Sequence, residues 1–463
     1  MSDGQDCEGL FTPPYPVPLK GKASLLKRFV TGWNSWIHTL FERSYTMEMG
    51  EIRLPKLDFF VANDLSIVDI VMDDREKVFP KHGFLNALLD PLIGNSVFSA
   101  NGKDWEDQRE MVNPAFAHTN LKRVYPAMQA AVDDLLAQIA MLDRAKPIEV
   151  DPLMTHVAAD IIYRTIFSVE LDQASAAHIY HSFHRYQKSI QPAAMLVLYG
   201  LPLLGYRRRA QKAATEIHGV FGPIVRERFN AWHEGMGLAK DDILQSLLEA
   251  RHPETGEPFS YAKIMEQVST IFLAGHETAA SAMTWALYLL AECPHHQEAL
   301  AAEVERETHG QPIAFEHLRG MNGVRNLFRE TLRLYPPVSF FVREVTAPTT
   351  FRDKLLHKGA MIVISPWLIQ RNRNNWKCPH AFAPERFDDP EEADACRRAY
   401  MPFGKGPRIC IGAGFAQQEG MLILASIVRA FRLSYPDIRK PEPVSRLTLR
   451  PKTAVKLWFE ARA

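Results

Sequence analysis

Phe403-Gly404-Lys405-Gly406-Pro407-Arg408-Ile409-Cys410-Ile411-Gly412 is the stretch on which the reading turns. Three glycines and a proline around one cysteine make a tight loop rich in free backbone N–H groups. Such groups stabilise a thiolate, as does a nearby cation such as Arg408. Residues 415–431 follow with helical periodicity, and the positive end of that helix adds to the effect. A lone cysteine is more commonly a small buried apolar residue. The loop by itself leaves that alternative open.

Composition narrows the field without choosing. Lys+Arg and Asp+Glu both number 54, so no large charge excess points to general nucleic-acid binding. At 46% hydrophobic residues the chain is too apolar for disorder. Five cysteines in 463 residues are too few for a disulfide scaffold. The expectation is a reducing compartment, with no role for Cys7, Cys293, Cys378 or Cys396. The N-terminal residues hold no apolar run long enough for a signal peptide or membrane helix, which places the chain in the cytoplasm. Residues 192–205 (PAAMLVLYGLPLLG) are apolar but too short to span, and read as buried or interfacial. Residues 24–43 are amphipathic. They read as a first helix packed on the core, with peripheral membrane contact as the alternative.

The apolar periodicity predicts helices over 125–142, 151–169, 173–189, 210–232 and 241–250. The longest runs over 261–293, with Ser260 as N-cap and Pro294 just beyond its end. At 1.5 Å per residue it would extend about 50 Å, enough to cross a whole domain. Strand-like runs are few: 51–61, 361–366 and 447–459. Residues 1–20, Pro-rich at 12–18, read as an extended arm. One large, mainly-α domain over 1–463 follows, in place of the three that length alone suggests. Several signatures fail. His276-Glu277 lacks the second histidine of H-E-x-x-H, since Ala280 stands there. The Gly404-Lys405-Gly406 run has Ile409 at the third glycine of a dinucleotide fingerprint. There is no phosphate loop and no C-x-x-C pair.

The loop around Cys410 resembles the haem-binding loop of the cytochrome P-450 monooxygenases, Phe-Gly-x-Gly-x-Arg-x-Cys-x-Gly, at every fixed position. Other motifs of that family stand in order. Trp105 and Arg109 match Trp-x-x-x-Arg. Ala274-Gly275-His276-Glu277-Thr278 matches the oxygen-binding groove, Ala/Gly-Gly-x-Asp/Glu-Thr. Glu330 and Arg333 match Glu-x-x-Arg, and Pro384 to Phe387 match Pro-x-Arg-Phe. The resemblance covers about residues 20–460. One departure is Gln370-Arg371, where many members carry His-Arg.

The resemblance implies the P-450 fold, a large helical domain with small β-sheets, and haem between the long central helix and the Cys-loop helix. The cofactor would be haem b (iron protoporphyrin IX), with the Cys410 thiolate as its axial metal ligand and O2 as co-substrate. Thiolate donates electron density to iron and favours O–O cleavage. Arg408, Arg343, Trp105 and Arg109 would hold the haem propionates. Phe403, Gly404 and Gly412 would shape the loop, and Ala274 and Gly275 the groove, with Gly275 permitting a kink or a close approach. Thr278 can bond an upstream carbonyl, and Glu277 beside it suits proton relay. Glu330, Arg333 and Arg386 would form a buried structural network.

The implied reaction inserts one oxygen atom from O2 into a hydrophobic substrate: a terpenoid, fatty acid, steroid or carotenoid. By family position its pocket would be lined by Phe84, Leu85, Leu88, Leu89 and Leu92, and by residues 192–205, 270–274 and 338–341. Electrons would come from a ferredoxin and its reductase, docking on Arg397, Arg398 and Lys405. The expected protein is a monomer. Two other readings share the cysteine: a peroxide-driven haem enzyme, and a haem protein that binds or senses ligands without turnover. A sensor has no use for Glu277 and Thr278.

Overall fold

The computed structural model describes residues 7–462 apart from 8, 22, 55–56, 76, 144, 204, 237–239 and 437–438. Its axis is the helix Tyr261–Glu292. The Ser260 hydroxyl accepts from the Lys263 N–H at 3.3 Å and caps it. Pro294 opens the next helix, Pro294–Thr308, at a position where a missing N–H costs nothing. Between Ile264 and Ala291 the long helix is buried on nearly every side. Leu287, Leu289 and Leu290 are fully buried, each worth about 1.5–3 kcal/mol.

On one side the long helix packs against Val150–Phe167, and on the other against Asn322–Leu334 and Ala413–Ala430. Gly275 sits at the first of these contacts. A Cβ there would lie 3.0 Å from Ile162 Cγ1, so the glycine lets two helices close. The helix is continuous through Gly275.

The expected helices are present as His118–Met141, Gln173–Leu198, Tyr206–His233 and Ile243–Glu249, the first beginning seven residues earlier and the second ending nine residues later than expected. The amphipathic stretch 24–43 is not one helix. Leu25–Gly32 is helical, and two 3₁₀ turns follow, Trp36–Thr39 and Glu42–Tyr45. The strand expected over 51–61 is two strands, Met49–Leu54 and Leu57–Ala62, paired antiparallel. Leu57–Ala62 runs parallel to Met361–Ile364, which pairs antiparallel with Phe341–Glu344. Arg343 stands opposite Ile362 on that edge strand. The C-terminal run divides into Leu449–Pro451 and Lys456–Ala461, in separate sheets.

Cys7 and Cys378 form a disulfide, against the expectation that neither has a role and that the cysteines stay reduced. The N-terminal arm folds back over residues 376–382, which brings the two together. Phe382 N donates to Phe11 O at 2.9 Å, and Tyr335 Oη to Pro14 O at 2.7 Å. The Tyr15 ring stacks on His380 at 4.3 Å. Cys293 is buried, and burial pushes its thiol up to about 12. Among the described residues no helix is long and apolar enough to cross a membrane.

Candidate functional site

The loop around Cys410 is held by its backbone. Gly404 and Gly406 have φ of 78° and 68°, a region that favours glycine. A side chain on Gly406 would also strike the Met72 carbonyl. Cys410 N donates to Phe403 O at 2.8 Å, which closes the turn. The helix Ala413–Ala430 begins directly after Gly412. Desolvation pushes the Cys410 thiol up, opposed by the Gly412 N–H and the charges of Arg109 and Lys81. Yet Cys410 is accessible to solvent. Cys410 thus keeps accessible surface although its thiol is desolvated.

Four cations converge there. Arg408 donates to Ala100 O at 3.0 Å and Asn101 Oδ1 at 2.9 Å. Its guanidinium lies 4.2 Å from the Trp105 ring centre. Arg109 donates to Ile409 O and Asn113 Oδ1 at 2.9 and 2.8 Å. Arg343 is 4% exposed, with only Val342 O at 3.3 Å and Met72 Sδ at 3.8 Å. Lys81 caps the Phe98 carbonyl and lies 3.8 Å from the Phe98 ring centre. No carboxylate among the described residues pairs with any of the four. Burial lowers Arg343 and Arg408 to about 10, and Arg343 and Arg109 also lower Arg408. Burial and the three arginines depress Lys81 further. Mutually repelling, half-desolvated cations form a site for an anion with more than one carboxylate. The two propionates of haem fit that requirement.

The long helix offers the opposite wall. Ala274 is exposed and Gly275 half-buried, though Leu273, His276 and Glu277 around them are buried. Thr278 Oγ1 donates to Ala274 O at 2.6 Å, as its place in the helix suggests. Glu277 turns the other way. Its carboxylate meets Arg450 Nη2 at 3.0 Å and accepts from Gln187 Nε2 at 2.5 Å and Thr448 Oγ1 at 3.0 Å. Arg450 also reaches Asp151 at 2.6 Å. Burial acts to raise the Glu277 pKa, but Arg450 and His276 outweigh it and hold it low. The acid and the alcohol are therefore neighbours in sequence on different faces of one helix. His276 is buried against Phe183 and Phe272, with Nδ1 2.8 Å from Phe272 O.

Glu330, Arg333 and Arg386 do meet. Arg333 donates to both Glu330 oxygens at 2.7 and 2.8 Å, and to the carbonyls of Gln370, Pro379 and Ala381 at 2.7–2.8 Å. That uses the whole donor set of a guanidinium. Arg386 reaches Glu330 at 3.1 Å and Glu392 at 2.6 Å. Burial would raise Glu330, but the two arginines hold it low. Gln370, at the departure from His-Arg, is fully used. Its amide donates to Leu332 O and Arg333 O, and it accepts from Met401 N.

Comparison with known proteins agrees with this geometry. Residues 12–458 match the family model described as cytochrome P450. The chain belongs to the cytochrome P450 family. It is 29% identical over 426 residues to cyclooctat-9-en-7-ol 5-monooxygenase of Streptomyces melanosporofaciens, covering 91% of this chain and 89% of the relative. It is 28% identical to cyclooctatin synthase of the same organism, over 96% and 92% of the two chains. Cytochrome P450 4X1 of Homo sapiens is 30% identical, over 82% and 78%. The protein is a P450 monooxygenase, a haem-thiolate enzyme that requires an electron-donating partner. When bound, haem supplies the iron at which O2 is activated.

Of the three cations expected to dock a donor, Lys405 pairs with Asp69 at 2.6 Å and Arg397 with Asp394, and Arg398 has no ion pair among the described residues. A cleft of about 560 Å³ beside Lys405 is lined by Asp69, Asp73, Asp74 and Arg75 together with the apolar Ile70, Met72 and Phe79. Of the expected pocket residues, Phe84, Leu88, Leu89, Leu92 and Thr270 are buried, and Thr270 Oγ1 is spent on Ser96 at 2.6 Å. Leu85, Ala274, Val338, Phe340 and Phe341 retain accessible surface. Sequence reasoning missed Lys81, Arg450 and Thr448. Each is an isolated polar residue with no motif around it.

Proposed function

We propose that this P450 inserts one oxygen atom from O2 into a hydrocarbon-rich substrate, of the terpenoid, fatty acid, steroid or carotenoid kind. One haem domain spans 1–463. It binds haem b, with Cys410 as the axial thiolate and Lys81, Arg109, Arg343 and Arg408 around the propionates. The observation that carries this reading is the desolvated yet accessible Cys410 thiol beside four cations with no protein counter-anion. The reaction consumes O2, two electrons and two protons, and yields the hydroxylated substrate and water. Thr278 holds the proton-bearing hydroxyl at the groove. Glu277 is its acid only when its carboxylate leaves Arg450. A ferredoxin and its reductase supply the electrons, across a face of mixed charge.

The names of the two Streptomyces relatives make cyclooctat-9-en-7-ol and similar hydrocarbon-rich alcohols the first compounds to test. The family reading is checked by the spectrum of the reduced protein with CO. A Soret band without the large red shift of thiolate-ligated haem refutes the role of Cys410. Thr278→Ala diverts electrons to peroxide, and an unchanged product yield per NAD(P)H removes Thr278 from proton delivery. Displacement of iron-bound water across a panel of apolar compounds identifies the substrate class.

A further inference from the structure

Arg371, the residue after Gln370, is 2% exposed. Arg333, as deeply buried, spends its donors on Glu330 and three carbonyls. Arg371 does not. Its Nε and Nη1 are buried with no hydrogen-bond partner, and no carboxylate among the described residues pairs with it. Its Cζ lies 3.6 Å from the Trp367 ring centre and 5.6 Å from that of Tyr335. Ring faces offset part of the cost of burying a cation. They leave the in-plane N–H groups of the guanidinium unmet. Burial lowers Arg371 to about 10, opposed by Tyr335 and Tyr45, so the charge remains at neutral pH.

The groups around it are donors too. The Tyr45 hydroxyl accepts from Trp367 Nε1 at 3.0 Å, and its own proton meets no acceptor among the described residues. Burial raises the Tyr45 phenol, so it stays protonated and is not a counter-anion. His380 Nδ1 is buried and unpartnered, and its ring centre lies 5.7 Å from that of Tyr45. Burial, Arg371 and Arg333 lower His380 to about 3, so its ring is neutral and carries one N–H. The ionisable groups that act on Arg371 are Tyr335, Tyr45, Arg333 and Tyr15, none of them an acid. The N-terminal arm covers the cluster, with Tyr15 stacked on His380 and Pro14 O on the Tyr335 hydroxyl.

We propose that Arg371, Tyr45 and His380 bind one small monovalent anion, a halide such as chloride, beneath the N-terminal arm. The guanidinium supplies the charge and two N–H donors, which makes the bonds charge-assisted. The Tyr45 hydroxyl and the Nδ1–H tautomer of His380 supply neutral donors. Water satisfies such donors but leaves the guanidinium charge unpaired, which is costly at this depth. A dianion such as sulfate brings a second charge that nothing here meets. The aromatic walls favour a weakly hydrated ion. The site lies outside the groove and the Cys410 loop, and stands independently of the oxygenase reading.

The test uses the full-length haem-loaded protein, dialysed into sodium gluconate and then titrated with sodium chloride, sodium bromide or sodium sulfate at constant ionic strength. The thermal midpoint is read at a fixed scan rate. With chloride and bromide it is expected to rise as a single-site curve, by a constant step per tenfold in halide once the site is mostly filled. Sulfate should leave it unmoved. Tyr45→Phe removes one donor and keeps the ring. It should raise the half-saturating chloride concentration about tenfold or more. Arg371→Met should abolish the response, and an unchanged CO spectrum shows that the fold is kept. If that variant does not fold, Tyr45→Phe decides. Crystals grown in bromide should show one anomalous peak beside Arg371 Nε and Nη1. The proposal is overturned if sulfate acts as chloride does, if Tyr45→Phe keeps the wild-type curve, or if bromide crystals show no peak at Arg371.

Discussion

Replacing Arg450 by Met tests the internal lock on Glu277. The pair is buried: their side chains are 15% and 6% exposed, and Nη2 lies 3.0 Å from Oε2. Removing one partner of a buried pair costs about 3–5 kcal/mol when the other stays charged. Glu277 can avoid part of that cost by taking a proton. From an ordinary carboxylate pKa near 4.5, protonation at pH 7 costs about 3 kcal/mol, which caps the loss. The sign follows from the shifts. In the wild type Glu277 is held low, so its contribution is present above its unfolded pKa and fades as pH falls through the folded one. In R450M the largest charge opposing burial is gone, and the Glu277 pKa rises. The gap between the two proteins therefore widens upward from about pH 4.5, by up to about 1.4 kcal/mol per pH unit. His276 at 3.8 Å, Asp151 and His184 are further ionisable groups at the site. Burial lowers the His276 pKa, opposed by the neighbouring Glu277 carboxylate.

The assay is urea unfolding of the haem-loaded proteins at pH 5 and 7.5. R450M is expected to lose about 3 kcal/mol at pH 7.5 and about 1 at pH 5. The double variant E277Q/R450M should recover most of the difference, because the amide leaves no buried charge. A loss below about 1 kcal/mol at pH 7.5, an equal loss at both pH values, or no recovery in the double variant refutes the closed pair.

Arg333→Lys keeps the charge but loses the fork that reaches Glu330 and three carbonyls. It should cost about 3–5 kcal/mol and most of the haem-loaded yield, read by thermal melting. Lys81→Met should speed transfer of haem to apomyoglobin several-fold without changing the CO band, and an unchanged rate removes Lys81 from the carboxylate site. Reduction with dithiothreitol opens Cys7–Cys378. It should hasten tryptic cleavage at Lys20 about tenfold while the CO spectrum persists, because the freed arm opens locally and not with the whole fold. An unchanged cleavage rate means that the disulfide does not hold the arm.

The parts legible in the sequence are those built from neighbours along the chain. Cys410 and its loop, Thr278 and its carbonyl four residues back, and Glu330 with Arg333 each lie within one turn or one loop, so their geometry follows from their spacing. The helices are legible for the same reason. What closes the site is not. Arg450 comes to Glu277 from a strand 173 residues away, and Lys81 comes to Cys410 from a loop with no signature. Cys7 and Cys378 are 371 residues apart, and a cysteine count cannot pair them. Gly275 reads as a point of kinking or close approach because the resemblance places it near haem. Its actual neighbour, Ile162, belongs to a helix that no local pattern ties to it.

The same distinction explains why Glu277 reads as a relay in the sequence and sits in a lock in the structure. Sequence places it beside Thr278, but adjacent residues on a helix are turned about 100° apart. Thr278 and Ala274, four apart, share the accessible face, and Glu277 falls on the buried one. What it meets there comes from the C-terminal strand pair. Thr448 and Arg450 bind the carboxylate, Ser281 binds Leu449 O, and Leu449 N donates to Pro337 O at 2.9 Å. Pro337 begins the segment whose Val338, Phe340 and Phe341 remain accessible. Glu277 and that segment thus share one support. A change at either end of that support has to be judged by its effect on the other, and effects at residues joined this way do not add.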